Sequence, residues 1–360
     1  MDVIRSWFKR NLADPQVVIL SAILIVGTLA FMYLGRLLAP VLASVVLAYL
    51  LEGIVRAMES RKVPRLAAVL VVFSLFMTFL VVLLFGLLPM LSRQVINLAV
   101  SELPVMISEA RTQLVLLPER YPEFVTKEQV DGMVSFLQQE QRQWATRALT
   151  ITVASLRHVV IVLVYLVLMP LLVFFFLKDK HLITAWCTSL LPEDRRLATM
   201  VWRDVDNQIG NYIRGKFLEI LIVWGCSWAT FYFLGLEFAM LLGLFVGMSV
   251  LIPYIGATLM TIPVALMAYF QLDGFTAPFA YVVGAYFIIQ LLDGNLLAPL
   301  LLSGVVNLHP VAVIVALLVF GGLWGFWGVF FAIPLATLVQ AVMRAWPRKP
   351  RKEAGAAAAT

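Results

Sequence analysis

Long apolar runs, each bounded by charged residues, recur along this chain and limit what it can fold into. The runs Val17–Gly35 and Leu66–Leu88 contain no charged residue at all. A helix needs about 20 mostly apolar residues to cross a bilayer. Hydrophobic residues make up 62% of the chain and charged residues 13%, against about 45–50% and about 25% in soluble domains. The sequence therefore predicts an all-α, polytopic integral membrane protein.

Three membrane spans are predicted within residues 1–88. Arg36 separates the first apolar run from a second, Leu37–Leu51, and Leu66–Leu88 provides the third. The loop between the second and third spans is basic, and so is the N-terminal tail. Cytoplasmic loops of membrane proteins are enriched in Lys and Arg, so both segments are predicted to be cytoplasmic.

The polar segment 89–150 is predicted to form amphipathic helices on the periplasmic face. Thr126 and Gln129 have the spacing of a capping box, in which each side chain bonds the other residue's backbone N–H. The apolar residues that follow at helical spacing are Val130, Met133, Val134, Leu137 and Trp144. Residues 151–177 contain a fourth span, and residues 178–216 form a second amphipathic segment, predicted to be cytoplasmic.

Residues 217–346 are predicted to form the transport region of the membrane domain. This part is almost continuously apolar, but glycine and proline interrupt it at Pro253, Gly256, Pro263, Gly274, Pro278, Pro299, Pro310 and Pro334. Irregular backbone at membrane depth is tolerated only where protein buries it or where it lines a cavity. We therefore expect broken or re-entrant helices here and about eight spans in total. The basic tail 347–360 is predicted to be disordered.

Several functional classes are disfavoured by the absence of their motifs. The chain contains neither a GxxxxGK[ST] phosphate loop nor an HExxH zinc motif, which predicts a protein without its own ATPase. Ser303 and His309 lack the GxSxG context of a hydrolase nucleophile. The net charge of +6 is spread between spans and over the tail, unlike a nucleic-acid-binding patch. No enzymatic activity, cofactor, metal or nucleic-acid partner is predicted; the expected partners are the lipid bilayer and a small solute or ion.

The most informative polar residues are Gln290, Asp293 and Asn295, which interrupt a strongly apolar sequence. An ionisable residue at membrane depth is energetically costly and indicates a functional site. We therefore treat the three residues as candidates for a solute or ion pathway. The alternative is that Asp293 lies at an interfacial turn, which Gly294 would permit, and caps a helix.

Two further groups of residues could line or gate such a pathway. Tyr254 lies in the segment LIPYIGATLMTIP, which fits either a discontinuous helix at a transport site or an ordinary tight connection between spans. Arg214 and Glu219 lie near the predicted start of the fifth span at Phe217. A local ion pair with Lys216, together with snorkelling of the long side chains, accounts for these charges; a gating role is the alternative.

Small residues recur at fourfold spacing in the segment FGGLWGFWGVFFAIPLA. The pairs are Gly321 with Gly325 and Gly328 with Ala332. Stripes of this kind allow the backbones of membrane helices to approach closely. The predicted use is packing between helices or between subunits.

Six segments together resemble the PerM-type permeases of the autoinducer-2 exporter (AI-2E) family. They are FLKDK at 176–180, NYIRGK at 211–216, LIPYIGA at 251–257, LLDGNLLAP at 291–299, VNLHP at 306–310 and the Gly/Trp-rich segment from Phe320. The resemblance implies a bacterial inner-membrane transporter of about eight spans. Relatives export the signal autoinducer-2 or exchange sodium for protons, and some form homo-pentamers.

No catalytic residues follow from this resemblance. The matching polar positions are Arg214, Tyr254, Gln290, Asp293, Asn295 and His309. The functional expectation is an inner-membrane permease that exports or exchanges a small solute, such as an autoinducer-2-like signal, a metabolite or a cation, as a homo-oligomer. The alternative is a membrane scaffold that binds cell-envelope or division proteins through its polar segments.

The topology can be tested by labelling single cysteines in a background carrying Cys187→Ser and Cys226→Ser. Ser135→Cys should react with an impermeant thiol reagent in intact cells whose outer membrane is permeabilised. Ser60→Cys and Ala356→Cys should react only after lysis, because both termini and the 52–65 loop are predicted to be cytoplasmic. Protection of Ser135→Cys with labelling of Ala356→Cys would show that the orientation is reversed.

Overall fold

The described part of the chain is helical throughout its regular structure. The computed structural model describes residues 15–120, 126–136, 155–189, 196–253, 255–302 and 308–345. No strand occurs within these ranges, which confirms the predicted all-α fold. The predicted disordered tail, 347–360, lies outside them.

The helices are numbered in chain order. Those of the N-terminal half are α1 (Pro15–Glu59), α2 (Arg65–Val82), α3 (Leu88–Asn97), α4 (Leu103–Arg120), α5 (127–136) and α6 (Ser155–Lys178). Those of the C-terminal half are α7 (Lys180–Ser189), α8 (Arg196–Phe233), α9 (Ala239–Ser249), α10 (Ile255–Gln271), α11 (Ala277–Leu292), α12 (Ala298–Leu301), α13 (Pro310–Phe330) and α14 (Ala332–Ala345). Single-turn π-helices join α2 to α3, α3 to α4, and α11 to α12.

The described residues contain enough apolar helix for a multi-pass membrane protein. Four stretches are long and apolar enough to cross a bilayer: Leu38–Glu59, Arg65–Leu116, Ala277–Leu301 and Pro310–Phe330. Shorter apolar helices are Val164–Lys178, Ala239–Ser249, Ile255–Gln271 and Ala332–Val342. The predicted fifth span from Phe217 is in neither group, since Lys216 and Glu219 lower the hydropathy at its start.

Helix α1 corrects the prediction of two separate spans before Glu52. It runs without interruption from Pro15 to Glu59, through the predicted boundary at Arg36. Arginine is a good helix former, so a single arginine between apolar runs does not end a helix. The prediction that the N-terminal tail and the 52–65 loop are both cytoplasmic therefore rests on their basic residues alone. Labelling of Ser60→Cys decides the side of that loop.

The third predicted span also continues further than its apolar run. A helix of 52 residues extends from Arg65 to Leu116, with π-turns at Leu83–Leu87 and Leu98–Glu102. At about 1.5 Å per residue it is much longer than the roughly 30 Å thickness of the hydrocarbon. The first part of the polar segment 89–150 is thus a continuation of this helix.

The predicted capping box is confirmed at the start of α5. The backbone N–H of Thr126 donates to Oε1 of Gln129 at 3.2 Å, and the N–H of Gln129 donates to Oγ1 of Thr126 at 3.4 Å. Val130 and Val134 are buried, whereas Met133 is exposed. Leu137 and Trp144 lie outside the described residues.

The chain divides into two compact units. One consists of Met1–Ala39, Lys180–Gly215 and Leu302–Thr360, and the other of Pro40–Asp179 and Lys216–Leu301. Among the described residues, the second unit holds two larger apolar cores and a smaller cluster of Leu91, Met240 and Leu241. One core lies between α1, α2 and α6, and the other between α8, α9, α10 and α11.

Arg65 ties together the ends of three helices at the first of these cores. One guanidinium nitrogen lies 3.3 Å from a carboxylate oxygen of Glu52 and donates to the carbonyl of Leu177 at 2.7 Å. The other nitrogen bonds both oxygens of Glu59. Because Leu177 is in the last turn of α6, its carbonyl has no partner within the helix and favours a cation. Arg65, at the start of α2, therefore fixes the end of α6 against α1.

Close backbone approach joins α8 to α9 at the second core. A Cβ on Gly243 would lie 2.7 Å from the backbone nitrogen of Trp228, and one on Gly247 would lie 2.9 Å from the carbonyl oxygen of Ile220. Gly243 and Gly247 are four residues apart and form a GxxxG motif, which allows two helices to pack closely. The sequence analysis missed this motif, although the spacing was visible.

The small residues of the C-terminal segment pack in a different way from the predicted stripe. Gly325 has φ 58° and ψ −134°, so it interrupts α13 with a kink. A Cβ on Gly328 would overlap the carbonyl of Phe320, and one on Gly321 would lie 2.9 Å from Val329. Gly321 and Gly328 thus allow the segment to fold on itself across the kink, and Ala332, which follows, is fully buried. A continuous helical stripe through Gly325 is not present.

Substitution at the α8–α9 contact should destabilise the protein. Gly247→Ala places a methyl group 2.8 Å from Cβ of Trp224, and such overpacking costs about 1–3 kcal/mol. Gly225→Ala is the matched control in α8, because nothing lies within 4 Å of its added Cβ and alanine favours a helix over glycine. Thermal unfolding in detergent should show a lower midpoint for Gly247→Ala alone; equal shifts would contradict the close contact.

Candidate functional site

Two charged side chains of α8 are buried as a pair. The Nζ atom of Lys216 donates to Oε2 of Glu219 at 3.0 Å and to Oε1 at 3.2 Å. Their side chains are 4% and 2% exposed. The predicted ion pair is therefore present, but the snorkelling interpretation is wrong, because the ammonium group does not reach the surface. A buried ion pair carries a large desolvation cost that its mutual attraction must offset.

Asp293 lies inside a helix and not at a turn. Its backbone has φ −61° and ψ −56°, and it begins the π-turn Asp293–Leu297 between α11 and α12. The helix is continuous from Ala277 to Leu301. Gly294 therefore does not reverse the chain, and the alternative that Asp293 caps a helix at an interfacial turn is wrong. A π-turn inside an α-helix is frequently found at functional sites.

One carboxylate oxygen of Asp293 lacks a hydrogen-bond donor. Its Oδ1 atom is buried and has no partner among the described residues. The same holds for Nε2 of Gln290, one turn earlier on the same helix. Buried polar atoms are normally hydrogen-bonded, so unpaired ones point to a missing water, ion or ligand.

Asp293, Lys216 and Glu219 are close enough for their charges to interact. The ammonium of Lys216 acts on the carboxylate of Asp293, and that carboxylate acts on Glu219. Packing brings the two helices together at this level: Val223, one turn after Glu219, shares a core cluster with Ile289 and Leu297, which lie on either side of Asp293. We call Lys216, Glu219 and Asp293 the charge cluster. With all three ionised it carries one negative charge.

Tyr286 connects the helix of Asp293 to the helix beside it. The Tyr286 side chain is buried, and its hydroxyl donates to the carbonyl of Ala257 in α10. Tyr286, Gln290 and Asp293 are spaced four and three residues apart, so they follow one face of the helix. The hydrogen bond to Ala257 positions this face of α11 beside the last residue of the LIPYIGA segment. The sequence analysis did not identify Tyr286, whose neighbours are all apolar.

The side chain of Asn295 is hydrogen-bonded within its own helix. Its side-chain Nδ2 donates to the carbonyl of Leu291 at 2.9 Å, and the residue is exposed. A π-turn shifts the backbone hydrogen bonds from i→i−4 toward i→i−5, which leaves carbonyls in need of other donors. The amide of Asn295 supplies such a donor. The structure does not bring Asn295 into the charge cluster.

The LIPYIGA segment forms a tight connection between α9 and α10. Tyr254 lies outside the described residues, but α9 ends at Ser249 and α10 begins at Ile255. A Cβ on Gly256 would overlap the carbonyl of Ser249, so only glycine allows this approach. Pro263 lies inside α10 and does not end a helix. These features favour the connection over a discontinuous transport helix.

Arg214 and His309 belong to the other compact unit. Arg214 donates to Oδ1 of Asn211 at 2.8 Å. His309 is exposed and is the N-cap of α13, where its Nδ1 accepts a hydrogen bond from the backbone of Val311 at 3.3 Å. Local helix contacts account for both side chains. Ser303, the other member of the dismissed hydrolase pair, lies outside the described residues.

The charge cluster consists of two carboxylates and one ammonium group. Within the described ranges, no group of three or more His, Cys, Asp or Glu side chains is placed to hold a metal ion. Two carboxylates are present, but an ammonium group already occupies both oxygens of one of them. The cluster can pair with a charged group of a solute, or it can take up and release a proton. Sequence reasoning found both carboxylates but gave Lys216 no role beyond local pairing.

Removal of one partner of the buried pair should cost more stability than removal of both. Lys216→Met leaves the Glu219 carboxylate buried without its cation, a change that typically costs about 3–5 kcal/mol. The double variant Lys216→Met/Glu219→Gln removes the uncompensated charge and should unfold at a higher temperature than Lys216→Met. The measurement is thermal unfolding in detergent at neutral pH. Additive losses in the double variant would show that the pair is not energetically coupled.

Comparison with known sequences covers nearly the whole chain. The AI-2E family transporter profile matches residues 21–348. “Putative permease PerM” of Escherichia coli (strain K12) is 42% identical over 347 residues, which cover 96% of this chain and 98% of that protein. “Putative transport protein YrrI” of Bacillus subtilis (strain 168) is 30% identical over 84% of this chain and 85% of its own length.

A more distant relative has a named substrate. The “AI-2 transport protein TqsA” of Escherichia coli (strain K12) is 24% identical over 90% of each chain. The region matched by the family profile, residues 21–348, includes α8, the π-turn and the charge cluster. On the extent of the profile match and the identity to PerM, this multi-pass membrane protein belongs to the AI-2E family of transporters.

Proposed function

We propose that this protein is an inner-membrane permease that exports or exchanges a small solute, and that the solute passes the charge cluster. The single observation that carries the proposal is the burial of the Lys216–Glu219 ion pair together with one carboxylate oxygen of Asp293 between apolar helices. Ionisable residues within membrane segments are costly and mark substrate, ion or proton pathways. Membership of a transporter family supports the same conclusion.

The π-turn at Asp293 supports a pathway in a second way. Transport sites in membrane proteins use backbone irregularities where the chain lines a cavity, because lipid cannot satisfy freed polar groups. Here the irregularity coincides with the buried, unpaired Oδ1 of Asp293 and Nε2 of Gln290. Together these groups offer one acceptor and one donor to a polar solute.

The finer features of the proposal come from the sequence and the relatives. An autoinducer-2-like signal, a metabolite and a cation are the candidate solutes; the name of TqsA supports the first. The sequence carries no phosphate loop, so transport is passive, ion-coupled or driven by another protein. We further propose that both termini are cytoplasmic, on the positive-inside rule, and that the protein is a homo-oligomer, with a pentamer implied by the family resemblance.

A scaffold for envelope or division proteins is the second candidate function. The helix beyond the apolar run of α2 exposes apolar side chains at Val95, Ile96, Val100 and Val105, which could contact another protein. On this hypothesis the charge cluster would be dispensable, and the cell phenotype would respond to changes in 89–150.

Asp293→Asn should abolish transport while the protein remains folded. The change keeps the shape of the side chain but removes its charge, so we expect at least a roughly tenfold fall in flux, about 1.4 kcal/mol in the barrier, and loss of its pH dependence. Asp293→Glu should retain partial activity. The measurement is flux into proteoliposomes, with and without a pH gradient, for autoinducer-2, monovalent cations and small metabolites.

Asp273→Asn is the matched control for the loss of a carboxylate. Asp273 is exposed and has φ 57°, a conformation that asparagine adopts readily. Its substitution should leave flux unchanged. Parental flux with the same pH profile in a folded Asp293→Asn protein would contradict the proposal, and absence of flux for every solute would move support to the scaffold.

A further inference from the structure

We propose that Lys216 is the charge-selecting residue of the cluster: its tethered ammonium takes the place that a divalent cation would occupy beside the two carboxylates. This inference deepens the proposed function, since it rests on the charge cluster being the part of the permease that meets the solute. It assigns a role to a residue that neither family membership nor the sequence singles out.

The contacts of Lys216 resemble those of a bound cation. Its Nζ atom bonds both oxygens of Glu219, at 3.0 and 3.2 Å, and so covers the bidentate edge that a metal ion would use. Divalent cations such as Mg²⁺, Mn²⁺ and Ca²⁺ prefer carboxylate and amide oxygens. The carboxylates of Glu219 and Asp293 would supply such oxygens if the ammonium were absent.

Because Lys216 is buried, its ammonium group can act in place of a metal ion at this site. Lys216 and Glu219 are almost fully buried, so water screens their charges only weakly. An ammonium fixed in this position repels a second cation strongly, since Coulomb energies rise as the effective dielectric constant falls. A lysine on the protein chain also cannot leave the site, unlike a free ion.

The net charge of the cluster determines which cations the parental protein can bind there. Two carboxylates and one ammonium leave one uncompensated negative charge, whereas the carboxylates alone would carry two. The unpaired Oδ1 of Asp293 is where this excess is available. The parental cluster therefore disfavours divalent cations, and loss of Lys216 creates a site that favours them.

The test is Mn²⁺ binding to the full-length protein in detergent, measured by electron paramagnetic resonance. Lys216→Gln should bind one Mn²⁺ per chain at least roughly tenfold more tightly than the parent, a difference of about 1.4 kcal/mol. Bound Mn²⁺ should also raise the thermal unfolding midpoint of Lys216→Gln and leave that of the parent unchanged, because a ligand stabilises the state that binds it.

Matched variants separate this site from adventitious binding. Lys216→Gln/Glu219→Gln and Lys216→Gln/Asp293→Asn should each lose the Mn²⁺ site, since each lacks one carboxylate. Lys178→Gln is the control for removing a lysine beside an acid, because Lys178 lies 3.7 Å from Asp179 and is largely exposed; it should gain no Mn²⁺ binding. A folded Lys216→Gln without increased Mn²⁺ binding, or an equal gain in Lys178→Gln, would overturn the proposal.

A second measurement keeps Lys216 in place in case Lys216→Gln does not fold. Gln290→Cys, in the background with Cys187→Ser and Cys226→Ser, reports the local charge through its rates with cationic and anionic methanethiosulfonates. One net negative charge should favour the cationic reagent, and Asp293→Asn in the same background should remove this preference. An anionic preference, or a preference that Asp293→Asn leaves unchanged, would overturn the charge count.

The two measurements distinguish this inference from the proposed function. Mn²⁺ binding requires no transported solute, so it decides the role of Lys216 even if no flux is found. Failure of the Gln290→Cys variant to react with either reagent would contradict a water-accessible pathway, and hence the proposed function. Flux that is abolished in Asp293→Asn together with no Mn²⁺ binding in folded Lys216→Gln would retain the pathway and reject the selecting role of Lys216.

Discussion

The structure depends on one constraint: a backbone polar group in hydrocarbon finds no water and must bond within the protein. A helix that continues meets this requirement at every residue. This explains why α1 passes through Arg36 without a break. It also explains why the chain passes Asp293 as a π-turn, with Asn295 bonding the carbonyl of Leu291, and does not open into a loop.

The same constraint governs the charged side chains. Arg65 bonds Glu52, Glu59 and the terminal carbonyl of α6 and so leaves few of its donors unpaired. Lys216 and Glu219 satisfy each other, although burial of both is costly. Nε of Arg65 and Oδ1 of Asp293 each remain buried without a described partner. Of the two, only Asp293 lies at a π-turn inside an apolar helix, which is why we propose it as the point at which a solute is recognised.

Membership of the AI-2E family establishes a multi-pass transporter, and the geometry indicates which part of it to test first. Helix α8 packs against the helix of Asp293 at the level of the charge cluster, and the Tyr286 hydroxyl bonds that helix to α10. Gly243 and Gly247 allow α9 to pack closely against α8 beside the same core. The proposed solute site is therefore held by close helix packing on several sides, which gives its polar groups defined positions in a medium that offers no other support.

The sequence by itself determined the all-α membrane fold, the capping box at Thr126 and Gln129 and the family, and it singled out Asp293 as a candidate pathway residue. These follow from local composition, spacing and motifs. Only the tertiary structure decided that α1 is unbroken, that Gly325 kinks α13, and that Asp293 lies within a helix near Lys216 and Glu219. Composition shows where apolar runs end, but hydrogen bonding decides where helices end. The meeting of residues 216, 219 and 293 depends on packing between helices distant in sequence, which no local pattern encodes.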